Sequence, residues 1–231
     1  KITIDSTKML EELIKNNVES LKANISSATQ SEPMIVAVSK KKSKDHILAA
    51  LNQGINNFGE NYAAELAEKA QSINANAVWH FIGPIQSNKT KTIASFATWV
   101  HSVERIKIAE RLNKHCFDLN KSINVLIQVN IDDEISKSGV QIGDVHPLAK
   151  FIEEHCSNLR LRGLMFMPSL TKSENEKNES MERIKHAIEA ISSDFNNFDT
   201  FSFGTSHDYP IALKYGSNLI RVGENIFGKR E

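Results

Sequence analysis

Eight short apolar runs alternate with longer amphipathic segments along almost the whole of this 231-residue chain, and that alternation leaves few folds open to it. The runs lie at 34–40, 55–59, 78–83, 98–103, 124–130, 160–167, 200–204 and 218–223. Between them, helical patterns occupy 43–53, 62–72, 86–95, 105–117, 145–156, 174–193 and, more briefly, 209–215. Strands that alternate with helices pair in parallel, and strands that are apolar throughout are buried on both faces. Eight such units predict an α/β fold, a single (β/α)8 TIM barrel, with an open doubly wound sheet as the competing arrangement. A charged segment at 6–28 precedes the first strand and places Leu10, Leu13, Ile14, Val18 and Leu21 on one helical face. The expectation is therefore one barrel domain over residues 1–231 with an extra N-terminal helix.

With 40% hydrophobic and 24% charged residues the chain can bury a full core. Its 28 Lys and Arg balance 28 Asp and Glu, so no global field argues for nucleic acid or an anionic membrane, and any anion site must be local. The first residues, Lys1-Ile2-Thr3-Ile4-Asp5, do not read as a leader, and no window approaches the ~18 apolar residues of a spanning helix. A cytoplasmic location with no membrane partner is expected. Cys116 and Cys156 each follow a histidine, His115 and His155, but adjacent helical residues point in different directions and no CxxC or HxxxH spacing accompanies them. Reduced thiols and no metal are expected. The stretch from Thr171 to Glu179 contains no apolar residue and reads as a solvated loop leading into a helix capped by Ser173.

In a barrel of this kind, functional residues gather where strands end, and phosphate sits in the loops after strands seven and eight. The first apolar run, Met34-Ile35-Val36-Ala37-Val38-Ser39-Lys40, delivers an amine to that rim. Lys41, Lys42 and Lys44 beside it would help lower the Lys40 pKa, which favours attack on an aldehyde. Strand seven ends in Gly204-Thr205-Ser206, whose glycine admits backbone N–H groups to a ligand and whose hydroxyls can donate to phosphate oxygens. Strand eight delivers Arg221 and Gly223, a cation and more open backbone. A lysine facing a phosphate cup points to pyridoxal 5′-phosphate. Met165 or Met167 could pack on its ring, although barrel core is the expectation for at least one of them. His80, His101 and His207 are read as buried, hydrogen-bonded residues.

The strings Val38-Ser39-Lys40, Phe58-Gly59-Glu60-Asn61-Tyr62, Trp79-His80-Phe81-Ile82-Gly83-Pro84-Ile85-Gln86-Ser87-Asn88-Lys89 and Ser136-Lys137-Ser138-Gly139 occur in order, followed by Leu161-Arg162-Gly163-Leu164-Met165, Ile220-Arg221-Val222-Gly223 and Ile226-Phe227-Gly228. Over nearly its whole length the chain resembles the YggS/PROSC family of pyridoxal phosphate homeostasis proteins. The resemblance implies a monomeric barrel related to the N-terminal domain of alanine racemases, with the cofactor held as a Schiff base on Lys40. It places Thr205, Ser206, Arg221 and Gly223 around the phosphate, Asn61 near the cofactor, and Lys137 at a secondary contact. Lys41 and Ser43 stand where many relatives carry Thr and Pro. Glu224 stands where a small hydroxyl residue is expected, and it would repel phosphate unless turned away or neutralised by Lys229 or Arg230.

The resemblance further implies a carrier that stores and hands over the cofactor, with pyridoxal phosphate-dependent apoenzymes as its recipients. A racemase needs a second acid/base opposite the lysine, which alanine racemases take from a C-terminal β domain across a dimer. Only eight residues follow Gly223, so no such domain is expected within this chain. The alternatives are a racemase-like enzyme pairing Lys40 with Tyr62, and a phosphosugar-binding barrel that forms no imine.

Overall fold

In the computed structural model, which describes residues 4–73, 76–135, 137–170 and 172–229, the chain closes into a barrel of eight parallel strands. These are β1 (Met34–Val38), β2 (Asn57–Glu60), β3 (Val78–Phe81), β4 (Trp99–Val103), β5 (Ile123–Val129), β6 (Leu159–Phe166), β7 (Thr200–Ser202) and β8 (Leu219–Val222). Each strand pairs with its successor, and β8 pairs back onto β1 with Val36 opposite Arg221, so the competing open sheet is excluded. Every expected strand is present. β1 stops at Val38 instead of Lys40: Ser39 N–H still reaches Gly59 O at 3.0 Å, but Lys41 turns into the left-handed region with φ 59°.

One helix follows each strand: α2 (Lys44–Asn52), α3 (Ala63–Ser72), α4 (Thr90–Phe96), α5 (Ile106–Asp118), α6 (Ile142–His155), α7 (Glu174–Ser192), α8 (Tyr209–Lys214) and α9 (Glu224–Phe227). The expected α7 cap is a full capping box: Ser173 Oγ accepts from Glu176 N, and the Glu176 carboxylate accepts from Ser173 N at 2.8 Å. α6 begins at Ile142, three residues before the expected start, and carries Pro147 inside it. Proline removes one helical N–H but suits helical φ, and buried Val145, Leu148, Ala149 and Ile152 hold the segment down. The N-terminal helix, α1 (Ile4–Ala28), buries Ile14, Val18, Leu21 and Ile25, whereas Leu13, expected on that face, is 46% exposed at its edge. α1 packs on α2, α8 and α9, and Asn17 Nδ2 donates to Ile226 O at 3.0 Å.

Most of the core lies between the strands and this outer ring of helices. A separate apolar plug of Trp99, Leu126 and Met165, with Met34 and Val78 against it, lies inside the barrel. Strand alternation puts every second residue on the axis. A Cβ at Gly59 would lie 3.0 Å from both Val36 and Ile82 side chains, which places all three residues on the inner wall. Gly163 is required at a bulge where the β5–β6 register shifts: its φ is 154°, and a Cβ there would lie 1.7 Å from Thr200 O. Above the plug the interior turns polar, with His80, His101, Gln128, Ser202 and Arg221 all buried. That polar layer is the floor of the carboxyl-terminal mouth.

Candidate functional site

The turn after β1 is clamped from below. Lys69, on α3, reaches under it and donates to Ser39 O at 2.6 Å, to Glu60 Oε1 at 2.5 Å and to Glu65 Oε1 at 2.7 Å. Ser39 Oγ donates to Glu60 Oε1 at 2.8 Å, and Lys41 N–H donates to Glu65 Oε1. Lys40 therefore stands between two fastened neighbours. Burial raises the Glu60 carboxyl above its usual range, with Lys69 and Ser39 pulling against it. Lys44, read as part of a basic cluster around Lys40, instead donates to Ser72 O at 2.8 Å.

Across the mouth, the loop after β7 meets the start of α9. Ser206 Oγ accepts from Gly223 N at 3.2 Å and from Asn225 N at 3.4 Å, so backbone donors from the far loop converge on this hydroxyl. Gly204 has φ 101°, and a Cβ on it would press Ala212 at 2.9 Å, so this turn favours glycine. The Thr205 hydroxyl does not point its proton outward as expected; both its N–H (2.7 Å) and its Oγ1 (3.1 Å) donate to Asp208 Oδ1. Asp208 went unnoticed in the sequence, although a carboxylate three residues after Thr205 is a recognisable turn signal. His207, expected to be buried, is exposed and lies 3.8 Å from Glu224 Oε2. It takes the place beside Glu224 that was assigned to Lys229 or Arg230, the latter being outside the described residues.

Arg221 points down into the barrel. It is 5% exposed, with NH1 donating to Ser202 O at 2.9 Å and to Ser202 Oγ, and NH2 donating to Phe166 O at 3.1 Å. Burial lowers its pKa to about 10, which leaves it a cation at neutral pH. Asn61 has a buried Oδ1 with no hydrogen-bond partner among the described residues. Lys40, Asn61, Thr205, Ser206, Arg221 and Gly223 all line one cavity of about 290 Å³, together with Val38, Ile82, Met167, Leu170, His207 and Glu224. Asn61, Ile82, Met167, Leu170, Thr205 and Arg221 also line a neighbouring cavity of about 630 Å³, so the two share a wall. Lys137 faces only the larger one and pairs with Glu134 at 3.2 Å; Ser136 beside it lies outside the described residues. The two methionines divide: Met165 is sealed in the interior plug, and Met167 is 51% exposed at the mouth. Tyr62 is 53% exposed at the N-cap of α3 and lines neither cavity.

The loop after β6 carries Met167 and Leu170 over the mouth and is fastened by Asp132, which the sequence reading missed. The Asp132 side chain is 2% exposed and accepts from Ser169 N at 2.8 Å, Lys172 Nζ at 2.6 Å, Ser180 Oγ at 2.7 Å and Arg183 NH2 at 2.9 Å. Lys172 thus departs from the solvated stretch expected there, while Thr171 lies outside the described residues. Burial would raise this carboxyl, but the bonds from Lys172, Ser169 and Ser180 hold it at about 2. Its contribution to stability is present above the ordinary carboxylate range and is lost as pH falls toward that value. We expect Asp132→Asn to lower stability at neutral pH by about 2 kcal/mol through lost charge-assisted bonds. Urea unfolding at neutral pH should show the loss, and an unchanged midpoint would mean the latch contributes nothing.

Among the described residues no group of three or more His, Cys, Asp or Glu could hold a metal ion, and no helix is long and apolar enough to cross a membrane. Cys116 and Cys156 are free and buried, and burial pushes both thiols up to about 11.

A family model described as the alanine racemase N-terminal domain matches residues 11–231. A Haemophilus influenzae protein named pyridoxal phosphate homeostasis protein is 40% identical over 228 residues, covering 94% of this chain and 96% of its own. Its namesake in Escherichia coli K12 is 36% identical, covering 94% and 97%. Among solved structures, PipY of Synechococcus elongatus with pyridoxal phosphate bound superposes with a TM-score of 0.82 at 26% identity, over 93% of this chain and all of that one. Alanine racemase of Clostridium difficile shares the fold at a TM-score of 0.77 and 13% identity, over 95% of this chain and 60% of that one.

Proposed function

The chain belongs to the alanine racemase N-terminal domain family, alongside the curated pyridoxal phosphate homeostasis proteins, and on that premise we propose that it binds pyridoxal 5′-phosphate, holds it as a Schiff base on Lys40 and releases it again. The observation that carries this reading is one cavity lined at once by an amine, a buried cation and a backbone-rich cup: Lys40, Arg221, and Gly223 with Thr205 and Ser206. When bound, the cofactor supplies an aldehyde that condenses reversibly with an amine and releases water. Lys40 is the amine facing the cup. The Ser206 hydroxyl, whose oxygen accepts from Gly223 N–H and Asn225 N–H and whose own proton is thereby left to donate, forms the anion-binding end, with Asp208 fixing the Thr205 turn beside it. Arg221 places a positive charge on the floor between the two ends, and Asn61 brings an unpaired amide oxygen to the wall.

A carrier role is supported by what the relatives are named and by the position of Tyr62, which is outside the lining that an acid/base opposite Lys40 would have to join. Pyridoxal phosphate-dependent apoenzymes are the recipients this role implies. The test is the visible spectrum of protein loaded with pyridoxal phosphate, before and after borohydride reduction, followed by mapping of the pyridoxyl mass. We expect a yellow protein that bleaches, with the added mass on the Lys40 peptide; a protein that takes up no cofactor would sink the reading. Solvent-deuterium exchange into the α-position of amino acids separates carrier from racemase. No exchange is expected.

Arg221→Ala should weaken retention by about 1.5 to 3 kcal/mol, since it removes a charge-assisted contribution from the floor. The cofactor dissociation rate is the measurement, and an unchanged rate would remove Arg221 from the site.

A further inference from the structure

A line of polar groups, half-buried at Asn57 and buried from His80 upward, climbs the inside of the barrel, and only its top belongs to the cavity. Asn57 opens β2, and its Oδ1 lies 2.9 Å from His80 Nε2 on β3. His80 Nδ1 lies 2.8 Å from His101 Nε2 on β4, and His101 Nδ1 lies 2.9 Å from Ser202 Oγ at the end of β7. Arg221, on β8, donates to that same hydroxyl. Five strands thus contribute one link each.

The protons in this line can be placed from its lower end. At the lower end an amide oxygen can only accept, so His80 carries its proton on Nε2. A neutral His80 then offers a lone pair at Nδ1, which requires a proton on His101 Nε2 and leaves a lone pair on His101 Nδ1. That lone pair takes the Ser202 hydroxyl proton, and the Ser202 oxygen takes the N–H of Arg221. At the upper end guanidinium can only donate, which is compatible with the same direction but does not impose it alone, since a hydroxyl oxygen can accept two bonds. Were the Asn57 amide turned over and both imidazoles reversed, Ser202 would receive two donors, and its own proton would have no acceptor among the described residues. Burial keeps both rings neutral, holding His80 at about 3 and His101 well below its ordinary range. His80 is also stacked flat on Trp99, centroids 5.7 Å apart, which fixes its ring plane.

We propose that Asn57, His80, His101 and Ser202 form a one-directional hydrogen-bond chain that positions Arg221 beneath the cavity. Asn57, at the opposite end of the barrel, is then a positioning residue for the cavity floor. The chain is a property of the protein alone. Its consequence for ligand retention rests on the reading of Arg221 given above.

The decisive experiment is a two-bond nitrogen–proton correlation on protein labelled with 15N-histidine and carrying no cofactor, with His80→Gln and His101→Gln samples to assign the signals. Both rings should be neutral Nε2–H tautomers. A neutral Nδ1–H tautomer at either ring, or an imidazolium at neutral pH, would overturn the proposal. Asn57→Leu removes the lower acceptor, so a second tautomer should appear at His101, two hydrogen bonds away. Asn57→Asp retains an acceptor and should restore the single tautomer. A folded Asn57→Leu protein in which His101 keeps one pure Nε2–H tautomer would show that Asn57 does not set the direction, and the idea would fail. If Asn57→Leu does not fold, the wild-type and Asn57→Asp tautomers still decide. With pyridoxal phosphate as the probe, Asn57→Leu should speed dissociation by about tenfold and Asn57→Asp should not. Correct tautomers in a protein that never takes up the probe would count against the proposed function and leave the chain intact.

Discussion

Lys40→Ala is expected to abolish the borohydride-reducible adduct while leaving weak, reversible uptake of pyridoxal phosphate. The expectation follows from how the two halves of the site are built. The amine sits on the turn after β1, and the cup is made by the loop after β7 and the start of α9, so removing one leaves the other in place. The N–H groups of Gly223 and Asn225 come from the backbone, and Arg221 is fastened to Ser202 and Phe166; none of them depends on Lys40. What remains is a site for the phosphate without a covalent hold. The variant should therefore show no visible imine band, no pyridoxyl mass after reduction, and a saturable affinity reduced at least about a hundredfold, a difference of roughly 3 kcal/mol. The competing anchor is Lys137, which faces the adjoining cavity. A reducible adduct of undiminished occupancy in Lys40→Ala, mapped to the Lys137 peptide, would overturn the assignment of Lys40. Complete loss of uptake would show instead that the cup has no affinity of its own.

The barrel was legible because its strands are buried on both faces, so each one reads as a mainly apolar run, and several end in a glycine or a lysine at the rim. Lys40, Gly204, Arg221 and Gly223 could be picked out for that reason, as residues that break an apolar pattern at the rim. The fastenings were not legible. Asp132 meets Lys172, Ser180 and Arg183 across separations of 40, 48 and 51 residues, and nothing local distinguishes it from neighbouring Asp133. His80 and His101 each look like a lone core histidine; only closure of the sheet brings them together with Ser202 and Arg221. Arg221 was assigned to the phosphate region from its charge, its place at the end of strand eight and the resemblance; it lines the cavity, and the direction of its guanidinium, inward to Ser202 and Phe166, was not legible. His207 was read as buried by extension from His80 within its strand, yet it lies in the turn that Asp208 fastens and is exposed. Leu13 illustrates the same limit on α1, where five apolar residues compete for a stripe that takes every third or fourth position.

These fastenings connect the sequence's least conspicuous charges to the site's geometry. Asp132 holds the loop over the mouth, Asp208 holds the turn behind the cup, and Glu60 with Glu65 holds the turn beneath Lys40. Carboxylates thus set the shape of a pocket proposed to take an anion; these four are matched by their own donors and do not line that cavity, whereas Glu224 does. That separation lets negative charge serve as scaffold close to a phosphate site without repelling its ligand.

The stability of the Lys40 turn should depend most on Lys69, and Lys69→Met is expected to cost about 3 to 5 kcal/mol. The Glu60 side chain is fully buried and that of Lys69 only 9% exposed, so truncating the cation leaves a carboxylate with no access to water. Glu60 Oε2 already lacks a partner, which leaves Ser39 Oγ as the sole remaining donor to the carboxylate among the described residues. The pH dependence identifies the cause. A carboxyl whose pKa is raised on folding favours the folded state below its unfolded pKa and loses that advantage as pH rises through the folded value. Burial already raises Glu60 with Lys69 present, and removing Lys69 raises it further. The deficit of Lys69→Met relative to wild type should therefore be full at neutral pH and shrink at about pH 5, where the variant's Glu60 is protonated at little expense. Adding Glu60→Gln to Lys69→Met keeps an acceptor for Ser39 while removing the stranded charge, and it should recover much of the loss at neutral pH. Urea unfolding of the three proteins at both pH values is the measurement. A deficit that does not change with pH, or that Glu60→Gln fails to relieve, would mean that Lys69 acts through packing of its alkyl stem and not through its charge. Because the same ammonium holds Ser39 O at 2.6 Å, the loss should be accompanied by faster escape of the cofactor from an otherwise intact Lys40.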